Sequence, residues 1–292
     1  MILSMRNSSY HWNLDRALVL PLCFAALGCV SILVLILAFL AQEAWPVLTN
    51  GGWKAFIMDQ GWYPLEGLFG LMPMLWASLA VMLGAVLLAG PLGLGCAIFI
   101  SFYARGILQR SFRLLLSLLS GLPSVVLGLW GLTVLVPLIT QWRPPGASLF
   151  AAMLVLALMI LPTVALTSAA ALSGVPAELL AGAAALGLRR RAQVLGVAVP
   201  AARSRIGSGL LLAMARALGE TMAVLMVAGN VVQYPRSLFE PVRVLTANIA
   251  LEMAYASGAH RAGLFASGLL LTLVVLLLAW LAARMGGNVY DG

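Results

Sequence analysis

The sequence predicts an all-α membrane protein with about six transmembrane helices, on three observations. Hydrophobic residues make up 63% of the 292 and charged residues only 9%, against about a quarter charged in a soluble domain. Apolar runs recur that are long enough to cross a hydrocarbon core of about 30 Å, which takes roughly 20 helical residues. The arginines gather in the short segments between those runs. So few charges cannot cover a water-soluble surface. The net charge of +8 does not indicate nucleic acid either, because no basic face is interleaved with aromatics.

The first apolar run, Ala17 to Ala41, follows a short tail with Arg6 and Arg16. It exceeds the h-region of about 7 to 15 residues in a signal peptide, so an uncleaved first helix is expected. The second run extends from Pro73 to Phe102. The third, Leu114 to Ile139, is punctuated by Pro123 and Pro137 and closed by Arg143-Pro144-Pro145-Gly146. The fourth, Ser148 to Leu172, precedes an arginine-rich segment, 173–205. The fifth spans Ile206 to Val232, and the sixth Ala262 to Ala283. Two regions follow: 1–72, holding the tail, the first helix and an outer interfacial segment, and a five-helix unit over 73–286.

An even number of crossings puts both termini on one side, and the bias of Lys and Arg toward the cytoplasm makes that side cytoplasmic. Arg6, Arg16, Arg105, Arg110, Arg113, Arg189, Arg190, Arg191, Arg203, Arg205 and Arg284 fall there; Lys54, Arg143, Arg236, Arg243 and Arg261 fall opposite. On the outer side Trp45, Trp53, Trp62 and Tyr63 suit the boundary between headgroups and acyl chains. Gly90, Gly93, Gly95, Gly128 and Gly131 would let helices approach closely where lipid supplies no hydrophobic drive. Cysteines 23, 29 and 96 lie inside apolar runs, which points to neither a disulfide framework nor a metal site.

Two constellations stand out. Arg216 and Glu220 lie inside the fifth run, in Ala215-Arg-Ala-Leu-Gly-Glu-Thr-Met-Ala-Val224. Ionisable groups in a membrane cost several kcal/mol unless paired or hydrated, and they usually face a pathway. A spacing of four predicts one helix face, with Thr221 and Asn230 adding polar groups in the same helix. A structural salt bridge is one explanation. A gate is the other: the arginine fork can take a tetrahedral oxyanion bidentately, while Glu220 competes with the anion for it.

The second constellation is Val175-Pro-Ala-Glu-Leu-Leu-Ala-Gly-Ala-Ala-Ala-Leu-Gly187, followed by Pro200. Alanine and leucine favour a helix that Gly187 can end in the left-handed conformation. A helix, a turn and a second short helix projecting from the membrane are expected. A structured connection of this length is more often functional than a plain linker.

These residues resemble a known family. Ala183-Ala-Ala-Leu-Gly187 with Pro200 is similar to the EAA loop of binding-protein-dependent ABC importer permeases, whose coupling helix docks into a groove of the ATPase. The family's glutamate falls at Ala181 in this chain, with Glu178 one turn earlier. Residues 216 to 224 resemble the signature of phosphate permeases of the PstC type. So do Leu122-Pro-Ser-Val-Val-Leu-Gly-Leu-Trp-Gly-Leu132, Pro91-Leu-Gly-Leu-Gly95 with Ala97-Ile-Phe-Ile100, and Leu245-Thr-Ala-Asn-Ile-Ala250 with Glu252.

The resemblance implies a type I importer permease core of the MetI-like kind with an extra N-terminal helix, in a bacterial inner membrane. It implies that Arg216 and Glu220 are the transport-critical pair, that Ser124 touches the pathway, and that Glu178, Ala181, Gly182, Ala183, Leu186, Gly187 and Pro200 serve ATPase coupling. It also implies a PstA-type permease, a pair of ATPase subunits carrying ATP and Mg, and an external phosphate-binding protein; no cofactor is expected on this chain. The chain is not itself expected to be an ATPase: its one lysine, Lys54, follows Trp53, so no P-loop exists. Permeases for sulfate, molybdate or tungstate, and an ion-coupled secondary transporter, remain the alternatives. His11 and His260 sit at segment ends without a hydrolase or metal motif.

Overall fold

The computed structural model describes residues 8–50, 56 and 61–287, with side chains from residue 19 onward except that of Asn50. Arg6, Trp53 and Lys54, and the side chains of His11 and Arg16, lie outside the described residues. Helix α1, Ser8–Asn50, continues more than two turns past the predicted Ala41. Ala44 and Val47 are buried there, and Phe39 meets Phe265 edge-on at 5.6 Å. A short antiparallel hairpin then pairs β1, Trp62–Tyr63, with β2, Leu68–Phe69. Trp62 is only 5% exposed, so it is a core residue and not the headgroup anchor predicted for it. Tyr63 and Trp45 are exposed, as that role requires.

Helix α2, Met72–Ile98, runs as predicted. The predicted third helix is two helices, α3 at Gly106–Ser120 and α4 at Ser124–Trp130, and the chain turns by 90° between them. Pro123 causes the break: it lacks an N–H and drives the residue before it out of helical geometry. Beyond α4 a π turn, Gly131–Leu135, leads into α5, Val136–Thr140. Helix α6, Leu149–Ser173, is capped by the Ser148 hydroxyl, which accepts from the Ala151 N–H at 3.3 Å.

The connecting segment holds α7, Ala177–Ala185, and α8, Arg190–Gln193. The second helix is not a separate short one as predicted: α8 passes through a π turn, Val194–Ala198, straight into α9, Val199–Leu218. The wider turn accommodates Pro200, whose ring cannot sit in a regular α ladder. The predicted fifth helix is divided at Gly219–Thr221, with α10, Met222–Val227, beyond it. Helices α11, Leu245–Glu252, and α12, Gly258–Gly287, complete the chain. Among the described residues four helices are long and apolar enough to cross a membrane, and five if the bent pair Gly106–Ser120 with Ser124–Thr140 counts as one span.

Helices α2 and α6 form the most extensive pairing, joined in one core by α9, α10 and α12. Small residues permit it, as expected where van der Waals packing replaces the hydrophobic effect. A Cβ on Gly93 would lie 2.8 Å from Val164, one on Gly128 2.8 Å from the Ala223 Cα, and one on Gly131 2.7 Å from Val155. Gly95 faces open space. Gly128→Ala is therefore expected to lower stability by about 1–3 kcal/mol, because the obstructing atom is backbone. In Gly95→Ala only the helix preference of alanine acts, raising stability by up to about 1 kcal/mol. Thermal unfolding of the two purified variants checks both signs.

Candidate functional site

Arg216 lies in the last turn of α9, where the dipole at a helix C-terminus favours a cation. Its side chain is exposed and has no hydrogen-bond, ion-pair or ring partner among the described residues. Gly219 ends the helix. Glu220 sits in the link beyond, half-buried, and its Oε1 accepts the Ala223 N–H at 3.3 Å, capping the start of α10. The pair therefore flanks a helix break and does not share one continuous helical face. No ion pair joins the two side chains.

The break exposes backbone groups, and a neighbouring element meets one of them. Thr246, buried in the first turn of α11, donates its hydroxyl to the Glu220 carbonyl at 2.9 Å. Beside it the Leu245 N–H donates to the Ser78 hydroxyl of α2 at 3.0 Å, and that hydroxyl donates to the Met74 carbonyl at 2.8 Å. Thr221 reaches only its own turn, donating to the Gly219 carbonyl at 3.4 Å. Ser78, Glu220 and Thr246 line a cavity of about 10 Å³, the room for one water and too little for a tetrahedral oxyanion. In this conformation the break is closed on that side.

Asn230 is not a further polar group on the same helix. It lies past the end of α10 with a left-handed φ of 57°, after Gly229 at 87°. Its Nδ2 donates to the Leu225 carbonyl at 2.8 Å and its N–H to the Val242 carbonyl at 3.1 Å. This is a turn residue that sends the chain back along itself. Ser124 begins α4, half-buried, without a side-chain hydrogen bond; one turn on, Gly128 packs against Ala223 just past Glu220.

The helix of the residues expected to serve coupling ends where the sequence predicts. Gly187 has φ 74°, and the Leu188 and Gly187 N–H groups donate to the Ala183 and Ala184 carbonyls at 3.2 and 2.9 Å, which closes α7 in a Schellman motif. Glu178, Ala181, Gly182 and Gly187 are exposed and Leu186 is 83% exposed. Ala183 is buried, on a helix that packs against α8 and the π turn after it, and it is not available to a docking partner. Pro200 lies inside the continuous α8–α9 helix.

A second charged cluster escaped the sequence-based assignment. Glu252, 8% exposed, accepts from Arg243 Nη1 at 2.7 Å and Trp62 Nε1 at 2.6 Å, and lies 2.8 Å from His260 Nε2. Arg243 also donates to the Asn248 side chain at 3.1 Å and to the Asn230 carbonyl at 2.9 Å. The hairpin, α11, α12 and the turn after α10 thus meet at one carboxylate. The stretch Leu245 to Glu252 was singled out in the sequence, but nothing in it indicates a partner 190 residues away.

Long apolar helices packed around a broken one with polar groups at the break are the architecture of a membrane transport subunit. The chain belongs to the family described as "Binding-protein-dependent transport system inner membrane component", whose profile matches residues 89–287. It is 38% identical over 239 residues to a probable ABC transporter permease, YqgH, of Bacillus subtilis, covering 78% of this chain and 77% of that protein. It is 33% identical over 281 residues to the phosphate transport system permease protein PstC of Haemophilus influenzae, covering 89% of each. The fold is similar to the inward-facing MetNI methionine transporter, with a TM-score of 0.61, 17% identity and coverage of 76% and 96%. It is also similar to a bacterial ABC transporter that imports alginate, at 0.61, 13% identity and 97% and 98%.

Glu252→Gln keeps the shape of the cluster but leaves Arg243 without its counter-charge. A loss of about 1–3 kcal/mol in stability is expected, since removing one partner of a largely buried pair costs its desolvation. A double-mutant cycle with Arg243→Gln, read by thermal unfolding, should show clear coupling.

Proposed function

We propose that the chain is one permease half of an ATP-driven importer of inorganic phosphate, and that Arg216 is the group that meets the anion. The unpartnered guanidinium beside a broken helix is the observation that carries this. An arginine in a membrane protein without a counter-charge among the described residues draws one from elsewhere, and its planar fork fits two oxygens of a tetrahedral oxyanion. The likeness to PstC proteins supports phosphate as that anion.

Glu220 is the competitor. While its carboxylate caps α10 it is withheld from Arg216, and the arginine is open to solute; swinging back to Arg216 would release the anion and uncap α10. A second permease of the PstA type completes the route, and an external phosphate-binding protein delivers to it. Two ATPase subunits holding ATP and Mg dock on α7 through Glu178, Ala181, Gly182, Leu186 and Gly187. With α9 and α10 together as a further crossing, both termini and α7 fall on the cytoplasmic side, in keeping with the bias of arginine toward it. Nucleotide binding acts by its differential affinity for two arrangements of α7, since a ligand indifferent to them moves nothing.

The test is uptake of labelled phosphate by the complete transporter in vesicles, with ATP supplied and ion gradients collapsed. Uptake should persist under these conditions and resist competition by sulfate and molybdate. Arg216→Lys should cut the rate about ten- to a hundredfold, the weight of charged hydrogen bonds lost with the fork. Glu220→Gln should also transport more slowly. Uptake that needs an ion gradient, or an Arg216→Lys protein at the normal rate, overturns the mechanism.

A further inference from the structure

We infer that α3 is an interfacial helix whose Arg110 and Arg113 bind the headgroups of anionic phospholipids. Its sequence, Gly106-Ile-Leu-Gln-Arg-Ser-Phe-Arg-Leu-Leu-Leu-Ser-Leu-Leu-Ser120, divides at helical spacing into three sectors. The first faces the protein: Leu116 is buried, Phe112 meets Phe99 at 5.4 Å, and Gln109 Nε2 donates to the Ile100 carbonyl at 3.0 Å. The second carries Arg110 and Arg113, one turn apart, both exposed and without a partner among the described residues. The third carries Ile107, Leu114 and Leu118, which are 82%, 59% and 60% exposed.

A basic band beside an apolar band is accommodated together only where water gives way to hydrocarbon. The turn of 90° between α3 and the segment Ser124–Thr140 supplies the orientation: if that segment follows the span, α3 lies across it, along the membrane plane. A soluble partner covering the arginines would leave the leucine band in water. Lipid covers both.

The charge around α3 is unbalanced. Arg190 donates to the Phe102 carbonyl and lies over the Tyr103 ring at 5.9 Å, which places Arg189 and Arg191 on the same end of the molecule. Glu178 is the one carboxylate there among the residues whose side chains are described. A guanidinium can hold a phosphodiester by two parallel hydrogen bonds, and basic clusters at the edge of the membrane attract anionic leaflets. The inference stands apart from the identity of the transported solute.

The experiment uses the full chain with its partner subunits, purified in mild detergent, with retained lipid measured by mass spectrometry. R110Q/R113Q should retain at least about fivefold less phosphatidylglycerol and cardiolipin per protein, roughly what loss of one of the two interfacial charges gives. Phosphatidylethanolamine should be unchanged, and R143Q, at the opposite end, should match the parent. Equal anionic lipid in R110Q/R113Q overturns the assignment. A second measurement needs no variant: photo-activated phosphatidylglycerol in vesicles of the parent protein should label residues 106–120 above the rest of the membrane surface. Uniform labelling, protection of α3 by a partner subunit, or displacement of the label by inorganic phosphate would each overturn it.

Discussion

The structure depends on how the backbone is satisfied where the helix bearing Arg216 breaks. In hydrocarbon no water is available to a freed carbonyl or N–H, so irregular backbone persists only where other protein groups meet it. At Gly219–Thr221 the Thr246 hydroxyl takes the Glu220 carbonyl and the Glu220 carboxylate takes the Ala223 N–H. The chemical group suited to gating is thereby also a structural cap.

Three of the other irregularities follow from proline. Pro123 separates α3 from α4, so that α4 can lay Gly128 against Ala223 at the root of α10. The π turns at Gly131–Leu135 and Val194–Ala198 each lie just ahead of a proline, Pro137 and Pro200. A widened turn preserves the helix while releasing the bond that proline cannot make. In the second case α8 stays continuous with α9, the helix that carries Arg216.

Much of the fold was legible in the sequence, and so was part of the candidate site. Long apolar runs announce α1, α2, α6 and α12 because a hydrocarbon slab imposes one length on every crossing. The end of α7 at Gly187 was legible because one left-handed residue decides it. Hydropathy could not reveal that the third and fifth runs are broken, since Leu122 and Leu218 are as apolar on a bend as on a straight helix. The Glu252 cluster was illegible for another reason. Trp62 looks like a headgroup anchor by type, and only the folding of the hairpin onto α12, where Gly263 leaves room for Trp62 and Phe69, makes it a hydrogen-bond donor.

The two arginines of the outer half and the break show why position on the page of a sequence does not assign their roles. Arg243 has its Nε and Nη1 donors committed to Asn230, Asn248 and Glu252, and pulling it toward a passing anion would strand a nearly buried carboxylate. It is a clamp that holds the turn after α10 against α11. Arg216 has no such commitment, and exposing a bare guanidinium costs little only if a polar route runs beside it. Arg243 holds Asn230, Asn248 and Glu252, Thr246 holds the Glu220 carbonyl, and among the described residues no side-chain partner holds Arg216.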